Sequence, residues 1–341
     1  MTTKKKGSGF AALQRMGRSL MLPIATLPAA GLLLRLGQAD VLGADGLSKH
    51  LSWMQPVADV LAAAGGAVFD NLPLIFAVGV AVGFAKKSDG STAVAGLFGF
   101  LVFKGVLDAL AKFWGAPAGP DAKINYGVLG GIIIGITAAL LWQRFYRIKL
   151  PDWLAFFGGR RFVPIITSGA AVLIATVMGA IYPAFNWLIN EKFGGWLMHA
   201  GAHGGIGGSV AYFVYGVVNR LLIPFGLHHL WNSLPWFQLG NCQSLTKQGE
   251  TLHGDLTCFF QGTPETNAWT GNFMTGFFSI MMFALPAAAL AMWRSAYPAK
   301  KKATGALMIS VALTAFLTGV TEPLEYAFAY VAFPLYVVHA I

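Results

Sequence analysis

The stretch Phe162-Val-Pro-Ile-Ile-Thr-Ser-Gly-Ala-Ala-Val-Leu-Ile-Ala-Thr-Val-Met-Gly-Ala-Ile-Tyr-Pro-Ala-Phe-Asn-Trp-Leu188 contains no charged side chain. A bilayer core of ~30 Å is crossed by about 20 apolar residues in a helix, so this run is long enough to span. Arg160 and Arg161 precede it, and Glu191 and Lys192 follow it. That is the flanking pattern of a membrane helix. Similar runs recur at Leu20–Leu36, Val57–Phe84, Ala93–Ala111, Tyr126–Trp142, Ile206–Val218, Leu221–Leu239, Phe273–Trp293, Gly305–Thr318 and Leu324–Ile341. The expected fold is therefore an all-α polytopic membrane protein, with about eight to ten transmembrane helices. Short or Pro/Gly-interrupted segments among them read as re-entrant or broken. Two stretches, Phe10–Arg18 and Ile148–Phe157, are expected to lie along the interface.

Composition agrees. Of 341 residues, 56% are hydrophobic and 11% charged, with mean hydropathy +0.61. Soluble domains carry about 25% charged residues, and disorder requires low hydrophobicity. The net charge of +10 does not indicate nucleic-acid binding, because the basic residues fall in short clusters between apolar runs. If the N-terminus is cytoplasmic and segments alternate, 17 of the 24 Lys and Arg lie in inside loops, counting a turn at Arg220. This positive-inside bias predicts a cytoplasmic N-terminus. The basic start leads into a long apolar segment without a cleavage site, so it is not a signal peptide. At the other end, Tyr326–Ile341 is apolar except for His339 and stops without polar anchors. That pattern suggests a natural chain continuing beyond this point.

Ionisable groups at membrane depth mark functional sites by default. Five acids fall in apolar segments: Asp59, Asp70, Asp108, Glu322 and Glu325. Lys104 and Asp108, four apart, read as a structural ion pair. In Asp70-Asn71-Leu72-Pro73, Asn71 reads as a helix cap with proline in the first turn. In Thr318-Gly-Val-Thr-Glu-Pro-Leu-Glu325, Pro323 is expected to interrupt a helix and place two carboxylates at a broken span. The alternative is an interfacial loop whose carboxylates meet water. In Ile223-Pro-Phe-Gly-Leu-His-His-Leu-Trp-Asn232, His228 and Asn232 share a helical face, and Trp231 and Trp236 offer ring faces on which sugars stack. No acidic ligand stands at metal-binding spacing, so no metal and no cofactor is expected. His253-Gly-Asp255 lies in the polar loop Gly240–Gly271, between Cys242 and Cys258. Those cysteines suit either a disulfide or two thiols. Gly201–Ser209 lacks the Lys-Ser/Thr of a nucleotide-binding loop, so energy for transport must come from an ion gradient or another protein.

Seven stretches together resemble the membrane-embedded enzyme IIC of the glucose/N-acetylglucosamine branch of the bacterial phosphotransferase system. They are Arg18-Ser-Leu-Met-Leu-Pro23, Phe69-Asp-Asn-Leu-Pro-Leu-Ile-Phe76, Phe145-Tyr-Arg-Ile-Lys-Leu-Pro151, Phe157-Gly-Gly-Arg-Arg-Phe-Val-Pro164, Pro224-Phe-Gly-Leu-His-His229, His253-Gly-Asp255 and Thr318–Glu325. The resemblance implies one IIC domain over residues 1–341, truncated at its C-terminus, with no IIB or IIA domain. It implies a homodimer in the bacterial cytoplasmic membrane, each protomer moving one sugar and presenting its 6-hydroxyl to a phosphocysteine on IIB. The family's glutamate falls on Glu322 and its substrate-site histidine on His228, the two catalytic candidates. His229, Asn232, Asp255 and Glu325 are the expected substrate-binding residues.

For the sugar, Leu34–Asp40, Asp70-Asn71 and Trp236–Gly240 resemble N-acetylglucosamine members, while Phe225 with His228-His229 resembles glucose members. The balance favours N-acetylglucosamine. The rival reading is a proton-coupled sugar transporter with Glu322 as proton carrier. A sugar-sensing receptor would need a signalling domain, and none is visible. Arg160 and Arg161, beside Phe156-Phe157-Gly158-Gly159, are expected to dock IIB, because arginine's planar fork suits a phosphate. Positive-inside charge alone also accounts for them.

Overall fold

The computed structural model describes residues 15–341 except 17, 18, 21, 22, 24, 25, 116–121, 195–204, 226, 227, 245–250, 264–269 and 330. The expected interfacial stretch Phe10–Arg18 lies almost wholly outside the described residues, as does much of Gly201–Ser209.

Helix α1 (Leu27–Leu36) carries Pro28 in its first turn, where the missing N–H costs nothing. The expected single span Val57–Phe84 is instead two helices, α2 (Gln55–Asp70) and α3 (Leu72–Phe84), bent by 57°. Pro73 opens α3, but Asn71 does not cap it. The Asn71 amide turns back and donates to the Ala67 carbonyl at 2.8 Å. Helix α4 (Gly90–Trp114) is capped by Asp89, which accepts the Ser91 N–H at 2.9 Å while Thr92 Oγ1 accepts the Asp89 N–H. Helices α5 (Gly127–Phe145) and α6 (Phe162–Phe185) complete the first half.

These helices pack on small residues. A methyl group at Gly131 of α5 would overlap the Pro73 carbonyl oxygen, and one at Gly135 would press on the Ala77 carbonyl. Close backbone approach of this kind is how membrane helices associate where lipid provides no hydrophobic drive. The buried residues filling the space are apolar, among them Phe76, Val80, Ile134 and Trp142.

Between α5 and α6, Asp152–Phe157 forms a short 3₁₀ turn with Trp153 and Phe156 pointing outward, as an interfacial segment should. Lys104 and Asp108 pair at 3.0 Å on the outer surface of α4.

The second half is more broken. Helix α7 (Gly205–Leu222) runs straight through Arg220, where a turn was expected, and the break falls at Ile223–Phe225, around Pro224. Helix α8 (His228–Phe237) follows. A hairpin pairs β1 (Asn241–Gln243) with β2 (Thr251–His253) and leads into α9 (Asp255–Gln261). Cys242 and Cys258 form a disulfide joining β1 to α9. Helix α10 (Thr275–Arg294) contains a π-helical turn at Ile280–Ala284, one residue short of Pro286. Helix α11 (Lys301–Thr318) ends on Gly319 at φ 72°, a left-handed position that glycine adopts without strain. The expected last span is two short helices, α12 (Glu322–Ala329) and α13 (Phe333–Ala340), each opening on a proline.

Among the described residues, four helical runs are long and apolar enough to cross a membrane: Gly90–Trp114, Gly127–Phe145, Gly159–Ile189 and Thr275–Arg294. The bent pair α2–α3 makes five if counted as one span. The expected eight to ten therefore includes segments that Pro and Gly shorten below a full crossing. The architecture is that of a multi-pass all-α membrane protein with broken segments.

Candidate functional site

The five flagged acids separate cleanly. Asp59, Asp70 and Asp108 are exposed, whereas Glu322 and Glu325 are buried, at 6% and 0% exposure. Both glutamates sit in the first turn of α12, where the helix dipole favours negative charge. The break before them comes from Gly319, not Pro323. Proline occupies the first turn of the new helix, and the Thr321 carbonyl receives the Leu324 and Glu325 N–H groups.

Burying two carboxylates demands partners, since an unpaired buried charge is severely destabilising. Glu325 has three: Arg220 of α7 forms an ion pair with it, His339 Nε2 of α13 lies 3.0 Å from Oε1, and the Thr321 hydroxyl donates to Oε2 at 3.2 Å. Arg220 is 4% exposed and lies over the Phe277 ring at 5.1 Å. Its carbonyl accepts from the Tyr336 hydroxyl. Arg220 thus ties α7 to α12 through its guanidinium and to α13 through its carbonyl.

Glu322 faces His228, with 3.2 Å between Oε1 and Nε2. His228 is the first residue of α8, placed there by the break at Pro224. The two expected catalytic residues come from positions 94 apart and meet in the fold.

Asn232, one turn along α8, is also buried, but its Oδ1 accepts from the Tyr215 hydroxyl at 2.6 Å and from the Asn219 amide of α7. Trp231 stacks on Tyr215, and Trp236 meets Phe237 edge-on. Both indoles thus contact protein rings. The side chain of His229 lies outside the described residues.

Asp255 stands apart from this cluster. It opens α9, is fully buried and accepts the Gly271 N–H at 2.8 Å, closing the loop on itself. Burial pushes its carboxyl up to about 7, against the pull of nearby backbone N–H groups. Arg160 pairs with Asp89 at 2.9 Å, and the Arg161 guanidinium lies over the Phe156 ring at 4.6 Å while donating to the Phe156 carbonyl. Ser91 holds the Asp89 carboxyl below the usual carboxylate range.

Sequence reasoning missed Arg220, Tyr215, Asn219 and His339. Positive-inside counting treats every arginine as a loop residue, which places Arg220 in a turn. Its removal leaves the inside excess intact. The available signal was the i, i+4 spacing of Tyr215 and Asn219 on the same helix.

A broken-helix membrane bundle with a buried Glu–His pair and a neutralised Glu–Arg pair defines a transporter-type site. The family profile "Phosphotransferase system, EIIC" matches residues 17–341, and the chain belongs to that family. It is 48% identical to a Streptomyces coelicolor protein named as an N-acetylglucosamine-specific EIIC component, over 99% of this chain and 78% of that one. It is 44% identical to the Bacillus subtilis N-acetylglucosamine-specific EIICB component, covering 96% of this chain and 63% of the relative. The Escherichia coli EIICBA component of the same specificity is 43% identical, with 96% and 45% covered. These relatives lend no support to a proton-coupled symporter.

Proposed function

We propose that this protein carries N-acetylglucosamine across the bacterial cytoplasmic membrane by group translocation, with its N-terminus cytoplasmic. In this reading residues 1–341 form the IIC membrane domain of a homodimer. The sugar leaves as the 6-phosphate, the phosphoryl group coming from a phosphocysteine on a IIB domain or protein. Relatives bearing the names EIICB and EIICBA support such a partner, and the substrate follows the relatives' names.

The observation that carries the chemistry is the buried Glu322–His228 pair at a helix break. Glu322 accepts a hydrogen bond from the 6-hydroxyl and takes its proton as the sugar oxygen bonds to phosphorus and the S–P bond breaks. The departing sulfur leaves as thiolate. His228 donates to Glu322 and sets its orientation. Glu325, already neutralised by Arg220, holds the wall on which Glu322 sits. Asn232 fixes α8 against α7, and His229 remains a candidate sugar contact. Arg160 and Arg161, with the outward aromatics beside them, form the surface on which IIB docks.

The test places the full protein in vesicles with phosphorylated IIB and N-acetylglucosamine, and identifies what appears inside. Sugar 6-phosphate supports the reading. Accumulation of unmodified sugar overturns it.

A further inference from the structure

Helix α8 joins two polar regions. Its first residue, His228, faces Glu322; its last, Phe237, lines a separate cavity of about 200 Å³. Nine steps at 1.5 Å each put the two about 14 Å apart. The cavity draws polar side chains from four places: Asp70 at the α2–α3 break, Asn125 ahead of α5, Thr251 and His253 on β2, and Thr257 and Gln261 on α9. Phe69 and Phe237 contribute aromatic surface.

The donors and acceptors are already set. Gln261 Nε2 donates to Asp70 Oδ1 at 3.2 Å. His253 Nδ1 lies 2.7 Å from Asn241 Oδ1 and donates to it, which makes Nε2 the ring's acceptor. Burial, with Lys123 nearby, holds His253 below its ordinary pKa, so the ring is neutral.

The lining excludes most ligand classes. Among the described residues that line it, Asp70 is the only formally charged one, which disfavours anions. One carboxylate is too few for a hard cation, which takes six or more oxygens. Six polar side chains do not suit an apolar molecule. A neutral polyol with an apolar face satisfies the carboxylate, amides, hydroxyls and imidazole as well as the rings. A volume of about 200 Å³ is of the size of a single sugar ring.

The walls are also held rigidly. The Cys242–Cys258 disulfide ties the hairpin bearing Thr251 and His253 to the helix bearing Thr257 and Gln261. Gly254, at φ 95°, lets the hairpin's end lie flush on Trp236 and Phe237, where any side chain would strike the Trp236 carbonyl. A disulfide marks the oxidising, outer side of a cytoplasmic membrane.

We propose that this cavity is an outer capture site for a neutral monosaccharide, one length of α8 from Glu322. Its place in transport rests on the function proposed above; its ability to bind sugar does not. Capture raises the chance that an encounter leads to transport, so the cavity acts on KM and leaves kcat to the Glu322 region.

The experiment has two arms. In the first, Asn125→Cys is introduced into the otherwise unchanged protein, and its labelling by a membrane-impermeant maleimide is timed with and without N-acetylglucosamine. The expected result is sugar protection that persists when Glu322→Gln is added. No protection, or protection lost with Glu322→Gln, would overturn the proposal. In the second arm, Asp70→Asn and Gln261→Leu are measured in IIB-coupled vesicles after their melting temperatures are matched to wild type. Removing one such hydrogen bond is expected to raise KM about tenfold with kcat unchanged. An unchanged KM, or a fall in kcat alone, would count against the cavity. Thr257→Val serves if either variant fails to fold. If phosphorylation itself fails in wild type, the labelling arm still reports on the cavity.

Discussion

The two halves of the molecule bury different things. Up to α6, the buried polar side chains among the described residues are serines and threonines: Ser19, Ser48, Thr92 and Thr167. From α7 onward the interior takes in Asn219, Arg220, His228, Asn232, Asp255, Glu322 and Glu325. The first half packs long helices through glycine contacts and has little to gain from moving. The second half is cut into short helices by Pro224, Gly319 and Pro334, and each cut brings a polar group inward. Breaks and buried charge belong together, because backbone groups left open by a break need protein or water partners at membrane depth. The first half is mainly scaffold, and the second holds the buried charged cluster around Glu322 and Glu325.

The strongest challenge to this division is Arg220→Met. It strands Glu325 without its cation, and breaking a buried pair costs ~3–5 kcal/mol. The expected result is a large loss of thermal stability confined by proteolysis or hydrogen exchange to α7–α13. The double variant Arg220→Met with Glu325→Leu is expected to recover most of that stability. If the single variant melts like wild type, the pair is not what holds the second half.

In the first half, Gly131→Ala drives a methyl into the Pro73 carbonyl. Overpacking of this kind costs ~1–3 kcal/mol. A lower melting temperature with normal sugar KM in the surviving protein would mark the region as scaffold. A changed KM at full stability would break the division.

A smaller effect concerns pH. The Asp255 carboxyl, held up to about 7, keeps its proton in the fold while an unfolded aspartate loses it near the ordinary value of 3.8. The folded loop therefore binds more protons between about pH 4 and 7, and its stability falls as pH rises through that window. Hydrogen exchange in Gly240–Gly271, corrected for the intrinsic rate, is expected to show weaker protection at pH 8 than at pH 5. Asp255→Asn is expected to flatten the difference.

The smallest effect is at the docking surface. Arg160→Ala with Arg161→Ala is expected to slow IIB-dependent phosphorylation several-fold at low salt, leave sugar binding intact, and flatten the salt dependence. An unchanged rate and slope would leave these arginines as topology signals.

How much was visible beforehand follows the same division. The long apolar runs that became α4, α5 and α6 were legible because length and apolarity suffice to define them. The motifs carrying the family resemblance were equally legible and agree with the family profile. The second half was legible only in part. His228 and Glu322 stood out by residue type and by the prolines around them. Their meeting across 94 positions, and the tie from Arg220 to Glu325, are tertiary facts that local spacing does not encode. Asp59, Asp70 and Asp108 looked like buried acids because hydropathy cannot distinguish the outside of a helix from its inside. The α2–α3 bend was hidden for a related reason: Asn71 reads as a cap, and a cap signals a start without saying how far the next helix turns.

The central claim is that Glu322, oriented by His228, is the group that handles the sugar's 6-hydroxyl proton. The most direct test is Glu322→Gln in vesicles with phosphorylated IIB, following sugar phosphorylation alongside sugar binding and melting temperature. Glutamine keeps the shape and can still meet His228, but cannot accept a proton. The account predicts a folded protein that binds N-acetylglucosamine and phosphorylates it at least a hundredfold more slowly, the loss typical of a missing general base. Phosphorylation at a near wild-type rate would contradict it.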